Sequence, residues 1–141
     1  MMRTILYFTI FLVLTGCSGL ALKEKIIDNY YLIATDVDED CGLSYHEPSD
    51  GSNYAGIIDA TVFSVGYNDK YMIIKQHPRT FPNPPDKKIT NYYILPLKKG
   101  MDWKNKNGLM GPLSLEKYNE KRKELNIPIS LTFIREREDL K

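Results

Sequence analysis

The chain is poor in cysteine, in histidine and in long apolar segments. Its 141 residues include two cysteines and two histidines, with 19 lysines and arginines against 18 aspartates and glutamates. Two cysteines are too few for a disulfide-rich scaffold or a four-cysteine zinc site. The net charge of +1 argues against a nucleic-acid-binding protein, because such proteins carry a clear basic excess. With 43% hydrophobic and 26% charged residues, the composition is that of one small globular domain.

Catalytic constellations are also lacking in the sequence. His46 and His77 stand in no metal-binding or triad spacing. The chain has no glycine-rich phosphate loop, no Gly-x-Ser-x-Gly and no His-Glu-x-x-His. His77 precedes Pro78 at the end of a predicted strand, where we expect a structural hydrogen bond. We therefore expect a protein that is not an enzyme, with no catalytic residues and no cofactor.

The first sixteen residues have the form of an export signal. Arg3 is the only charged residue before Lys23, and residues 5–14 form an apolar run interrupted by Thr9. A helix of this length spans roughly 15 Å, about half of the hydrocarbon core of a bilayer. The run is therefore a signal-peptide segment and not a membrane span.

The apolar run ends in a sequence that resembles the lipobox of bacterial lipoproteins, Leu14-Thr15-Gly16-Cys17. The resemblance implies cleavage before Cys17 and attachment of diacylglycerol to its thiol, so that acyl chains hold the protein on the membrane. The alternative is an ordinary signal peptide with an incidental cysteine. Ser18, and not an aspartate, follows Cys17. In a bacterium with two membranes this pattern implies the outer membrane facing the periplasm, and otherwise the protein faces outward from the cell envelope.

The remaining chain is predicted to be a short tether (residues 17–27) followed by one α+β domain (residues 28–141). Segments rich in β-branched and aromatic residues predict an antiparallel sheet of about five to six strands. The predicted strands are 29–35, 42–46, 57–65, 71–77, 90–97 and 129–134. The most distinct element is the hairpin that joins 57–65 to 71–77. Runs of consecutive apolar residues in that hairpin indicate that both faces of the sheet are at least partly covered.

One C-terminal helix is predicted to pack on this sheet, with the last strand after it. Ser114 is placed to cap a helix over residues 115–125, and Asn126 with Pro128 ends it. Cys41 is the only thiol left after the signal, and we expect it to be a small buried strand residue.

Several segments of this mature chain carry a family resemblance. Together with the lipobox, they resemble a family of bacterial lipoproteins catalogued as domain of unknown function 3997. The segments are Asn29-Tyr30-Tyr31-Leu32, the hairpin from Val65 to Tyr71 with Lys75-Gln76-His77, Gly111-Pro112-Leu113, and Lys121 to Leu125. The resemblance covers most of the mature chain. It implies no activity and no functional residues.

An acidic segment from residue 36 to residue 47 resembles a calcium loop of the EF-hand type. Positions one, three, five and twelve carry carboxylates, as hard cations prefer. These residues are Asp36, Asp38, Asp40 and Glu47. The sixth position, which should be glycine, is Cys41, and the flanking segments are predicted strands. The alternative is a solvated acidic loop between two strands.

Charge of the two signs is separated along the chain. Residues 17–69 contain ten acidic and two basic residues, whereas residues 70–141 contain sixteen basic and eight acidic residues. The two parts either pair within the molecule or present a dipolar surface that orients a charged partner.

A basic loop surrounds the single tryptophan. Trp103, Lys104 and Lys106 are candidate partner-binding residues. The alternative is that Trp103 folds onto the core. The many tyrosines, among them Tyr30 and Tyr31, fit an interface or simply strands, and an adjacent pair in a strand places one ring on each face.

These observations favour a lipid-anchored envelope protein that binds a protein partner without catalysis. A specific version is an immunity or inhibitor role at the membrane. The alternative is a module that binds calcium (Ca2+) or a small ligand through residues 36–47. A concave pocket would favour the ligand module, whereas a flat tyrosine-rich or tryptophan-rich face would favour the protein partner.

Overall fold

The computed structural model describes residues 19–141. The export signal, the lipobox residues Leu14, Thr15 and Gly16, and the predicted lipidation site Cys17 lie outside the described residues. None of the helices within 19–141 combines the length and the apolar character needed to cross a membrane.

The first sheet contains four antiparallel strands in chain order. They are β1 (Leu22–Ile27), β2 (Tyr30–Ala34), β3 (Gly42–His46) and β4 (Tyr54–Ile58). Side chains alternate between the two faces, as a strand requires. In β2, Tyr30 and Leu32 are buried while Tyr31 and Ile33 are only partly covered. The sheet therefore has one face in the core and one face turned away from it.

The second sheet contains five strands in the order β8-β7-β6-β5-β9. They are β5 (Val62–Tyr67), β6 (Tyr71–Gln76), β7 (Asn91–Pro96), β8 (Met110–Leu113) and β9 (Arg135–Glu136). The helix α1 (Leu115–Glu124) lies between β8 and β9 in the chain.

The second sheet is the middle layer of the domain. One hydrophobic cluster joins it to the first sheet, with Leu32 and Leu43 on one side and Val65 and Met72 on the other. A second cluster, which contains Ile73 and Ile94, packs it against α1 and the segment after α1. The second sheet is thus covered on both faces, as the consecutive apolar residues of its strands predict.

The predicted hairpin and helix are confirmed. β5 and β6 pair antiparallel, and the Asn68 side-chain oxygen accepts the backbone N–H groups of Lys70 and Tyr71 at 2.8 Å in the turn. At the helix start, Ser114 Oγ accepts the backbone N–H of Lys117 at 3.2 Å. Asn126 follows the helix with a φ of 52°, in the left-handed region. Local hydrogen bonds therefore define both elements.

The α+β class and the last strand after the helix are also confirmed, but residues 19–141 form nine strands in two sheets. The predicted strand 57–65 is divided, because the chain crosses between the sheets at Asp59 to Thr61. The backbone N–H of Thr61 donates to His77 O at 2.9 Å, and that of Val62 donates to Cys41 O at 2.6 Å. These bonds hold the corner.

Three further boundaries differ from the prediction. Residues 22–27 of the expected tether form β1, which pairs with β2. Residues 110–113, which lie outside the predicted strands, form β8 against β7. The last strand is β9 at residues 135–136, whereas residues 129–134 form a turn and an extended segment. β1 joins β2 across a two-residue turn, whereas β8 and β9 pair with strands that lie farther away in sequence.

Candidate functional site

The strands run between two ends of the domain, which differ in chemistry. We call one of them the N-terminal end, because the described chain begins there. At this end the backbone N–H of Ala21 donates to Thr35 O at 3.2 Å. Arg79, which follows β6, forms an ion pair there with Asp40. The opposite end carries the turns after β1 and β5 and the loop that begins at Lys98, since residues of all three line one cleft.

The acidic segment lies at the N-terminal end and its carboxylates bind arginines. Asp38 to Asp40 form a short 3-10 turn. Asp40 pairs with Arg79, and Asp38 Oδ2 lies 2.9 Å from Arg137 Nη2. The five residues of β3 lie between this turn and Glu47. At a rise of about 3.3 Å per residue, Glu47 is too far from the turn to share one cation with its carboxylates. The structure does not bring Asp36, Asp38, Asp40 and Glu47 together. Residues 19–141 contain no group of three or more His, Cys, Asp or Glu side chains placed to hold a metal ion.

The environment of Asp40 stabilises its charged form. Partial burial on its own would raise the pKa of the carboxyl, but the backbone N–H of Val37 and the Arg79 guanidinium lower it further than burial raises it. The net effect is a pKa below the usual value for aspartate. The carboxylate is therefore held by the fold and is not available as an open cation ligand.

Cys41 is buried, as expected, directly before β3. Burial in the core raises the pKa of its thiol to about 11, which keeps it protonated at neutral pH. A protonated, buried thiol is a poor nucleophile, so Cys41 packs the core.

The two histidines have structural contacts. The His77 ring stacks on Phe63 with centroids 4.1 Å apart, and its Nδ1 lies 2.7 Å from the carbonyl oxygen of Ile89. This contact is the structural hydrogen bond that the sequence predicts. His46 Nε2 donates to the carbonyl oxygen of Gly51 at 2.7 Å.

The basic loop is partly used to hold the fold. Lys106 Nζ donates to Ile57 O in β4 at 2.9 Å, so this lysine ties the loop to the first sheet. Trp103 lies edge-on against Tyr45 with ring centroids 5.9 Å apart, yet it remains 44% exposed. Lys104 is exposed. The three predicted partner-binding residues share a loop and are all exposed. The Lys106 ammonium group is bonded to the first sheet, which leaves Trp103 and Lys104 for a partner.

Sequence reasoning missed Asn107, the buried residue that organises this loop. Its side chain donates to Tyr30 OH at 3.2 Å and to Gly100 O at 3.0 Å. Its side-chain oxygen accepts the backbone N–H of Asp102 at 2.7 Å. A lone asparagine in a polar loop gives no sequence signal of burial, because one of its partners, Tyr30, lies on a strand 77 residues away.

Several clefts are lined by described residues. A cleft of about 460 Å³ at the opposite end is lined by residues of both charges, including Lys25, Asp28, Asp69 and Lys98. Another of about 440 Å³ runs along α1 beside Ile129. None of these clefts is lined by the acidic residues of the predicted calcium loop.

The outward side of the first sheet carries a cluster of rings, which we call the aromatic face. It consists of Lys23, Tyr31, His46 and Tyr54. The Tyr54 ring centroid lies 5.1 Å from that of Tyr31 and 4.9 Å from that of His46. Lys23 Nζ lies 4.4 Å from the Tyr54 centroid, within cation–π range. The three rings are only partly covered.

Strand register produces the aromatic face. His46 is paired with Tyr54 across β3 and β4, and Tyr31 is paired with Ser44 across β2 and β3. Ser44 is in turn opposite Gly56. Small residues therefore lie beside the rings on this face. The sequence predicted one ring of the Tyr30–Tyr31 pair on each face, which is confirmed. Tyr54, in contrast, lies outside the predicted strands.

Comparisons with known proteins add one result. No curated protein and no solved structure matches the chain. A family model described as "Protein of unknown function (DUF3997)" matches residues 27–140, which span the domain from the end of β1 to the residue before the last. The chain therefore belongs to the DUF3997 family.

Proposed function

We propose that this protein is a lipid-anchored bacterial envelope protein whose domain binds another protein and performs no catalysis. The lipobox-like sequence before Ser18 supports the anchor. The aromatic face is the observation that supports protein binding.

The aromatic face has the composition of a binding surface. Tyrosine is enriched where proteins meet, because its ring is large and rigid and its hydroxyl tolerates water. Three rings in mutual contact on the outward face of the first sheet form one continuous patch of ring surface. These rings line none of the clefts described above. A small ligand needs a concave site, so the patch fits a macromolecular surface better.

The charge on this face indicates the chemistry of the partner. Lys23 and Lys25 point away from the core on β1, and Lys23 already stands over the rings. A complementary partner presents acidic side chains around an apolar centre. Such complementarity accelerates association, and its effect weakens as salt rises.

An immunity or inhibitor role is the specific version of this proposal. A small domain held at the membrane by acyl chains is placed to meet an incoming toxin or hydrolase. The calcium version gains no support from the contacts of residues 19–141, because Asp38 and Asp40 pair with arginines.

The test is photo-crosslinking of the full-length protein in its own host. A photo-reactive phenylalanine analogue replaces Tyr31, and a matched control replaces Ile129, which is 92% exposed beside α1. We expect one discrete protein adduct from position 31 and none from position 129.

A second variant shows whether the adduct depends on the surface. Tyr54→Ala should reduce the yield, because loss of a central aromatic residue from an interface costs about 2 kcal/mol, or roughly 30-fold in affinity. The same adducts from both positions, or no adduct from position 31, would contradict the proposal.

A further inference from the structure

We propose that the N-terminal end of the domain is a lipid-binding surface that rests on the bilayer holding the Cys17 acyl chains. This inference rests on the anchoring part of the proposed function. Its central contact is Phe81 in the loop after β6, assisted by Leu20, Val37 and Ile89. The partner is the surface of the membrane itself.

Four large apolar side chains are exposed at this end. Among residues 19–141, eight large hydrophobic side chains are exposed, and these four are among them. Phe81 is 80% exposed, and each of the other three is exposed over nearly half of its surface. Aromatic and aliphatic side chains in this setting are typical of proteins that lie on a membrane interface.

Hydrogen bonds and ion pairs place the four side chains at one end. Leu20 precedes Ala21, whose N–H donates to Thr35 O beside Val37. Asp40, in the turn after Val37, pairs with Arg79, two residues before Phe81. Ile89 O lies 2.7 Å from His77 Nδ1 at the end of β6. The loops that carry Val37, Phe81 and Ile89 therefore meet where the described chain begins.

The loop holds Phe81 outward by its own contacts. Arg79 Nε donates to Asn83 O at 2.9 Å, and the backbone N–H of Asn83 donates to Thr80 O at 2.9 Å. These bonds close a tight turn around Phe81, and the neighbouring prolines restrict the backbone further. A ring presented in this way loses little conformational entropy when it enters an interface.

The chain length to the anchor is short. Cys17 precedes Gly19 by two residues, which span at most about 7 Å. A lipidated Cys17 therefore keeps this end at the headgroup layer. Tethering makes a second contact intramolecular, so that even a weak apolar contact is occupied most of the time.

Charged side chains at this end contribute less to membrane binding than the apolar side chains do. Lys87 and Lys88 are exposed and suit anionic headgroups. Asp36 and Asp86 are exposed nearby and oppose them. Insertion of Phe81 is therefore the main contact, and it leaves the aromatic face on the side of the domain, accessible to a partner above the membrane.

The test measures the depth of single spin labels in the lipidated full-length protein. The protein is reconstituted in vesicles of phosphatidylethanolamine and phosphatidylglycerol, with a nitroxide on Phe81→Cys. Ile129→Cys is the matched control, since it is even more exposed but lies beside α1. Cys41 is fully buried and stays unlabelled.

We expect the label at position 81 to have a several-fold higher ratio of oxygen to aqueous nickel-complex accessibility than the label at position 129. Val37→Cys, at the same end, should follow position 81. Equal ratios at positions 81 and 129, with the protein still sedimenting with the vesicles, would overturn the inference alone. Failure of the protein to sediment with vesicles would overturn the anchoring proposal and this inference together.

Discussion

Gly66 is a residue at which the C-terminal segment approaches the second sheet closely. It lies in β5, and a Cβ on it would overlap the carbonyl oxygen of Thr132. The backbone N–H of Ile134 donates to Val65 O at 3.0 Å, which keeps the segment in place. Absence of a side chain at Gly66 is therefore what allows this segment to cover the sheet.

Replacement of Gly66 by alanine should destabilise the domain. The overlap is with backbone, which cannot rotate away, so we expect a loss of about 1–3 kcal/mol in the free energy of unfolding. Gly56→Ala is the control, because a Cβ there meets nothing within 4 Å, and its effect should stay within about 0.5 kcal/mol. Denaturant unfolding of both variants measures the difference. Equal stability of the two would show that the segment does not pack on β5 as described.

Single residues were predictable where their partners are local or where burial follows from composition. Ser114 and Asn126 act within one turn of the helix that they delimit. The burial of Cys41 could be predicted, because a lone thiol beside a predicted strand is expected to pack in the core. Asn107 could not be predicted, because it is the distant Tyr30 that makes its burial favourable.

At the scale of elements, the acidic segment shows why spacing alone is a weak guide to a site. Its carboxylates have the sequence spacing of a calcium loop, but a strand follows the turn and carries Glu47 away. Arg79 is 39 residues from Asp40 in sequence, so the ion pair is invisible until the fold brings the two together. β1 and β8 were missed for a different reason: Lys and Glu in β1, and Gly and Pro in β8, are weak strand formers, and pairing with β2 and β7 makes these segments strands.

The Asp40–Arg79 pair predicts a dependence of stability on pH. The pKa of Asp40 is lower in the folded protein than in a free aspartate, so the pair stabilises at neutral pH and this contribution disappears as pH falls below about 4. Asp40→Asn leaves the largely buried Arg79 without its partner and should cost about 1–3 kcal/mol at pH 7.

The control for this pair is Glu120→Gln, which removes an exposed pair with Lys117 on α1 and should cost at most about 0.5 kcal/mol. Unfolding free energies of the wild type and of Asp40→Asn, measured at pH 7 and near pH 3, test whether the stabilising contribution of the pair is lost in acid. A difference between wild type and Asp40→Asn that grows in acid would contradict the assignment.

At the scale of the whole molecule, the separated charges are partly paired. Among the described residues, three ion pairs join acidic residues before position 70 to arginines after it. They are Glu24–Arg135, Asp38–Arg137 and Asp40–Arg79. Pairing within the molecule therefore accounts for part of the charge separation, and it fastens the first sheet and its loops to the second half of the chain.

The arrangement of the layers determines which sheet surface is open to a partner. The second sheet is covered on both sides, so the outward side of the first sheet is the broad sheet surface left for a partner among residues 19–141. The α+β class was predictable from the strand and helix patterns. The division into two sheets was not, because the corner at Asp59 to Thr61 depends on bonds to Cys41 and His77.

The central claim is that a lipidated Cys17 holds this domain at the membrane, and mass spectrometry of the mature N-terminal peptide tests it most directly. The peptide is isolated from the membrane fraction of the host. We predict that it begins at Cys17 and carries the mass of a diacylglyceryl group on that residue. A mature chain that begins elsewhere, or that carries an unmodified Cys17, would contradict the account.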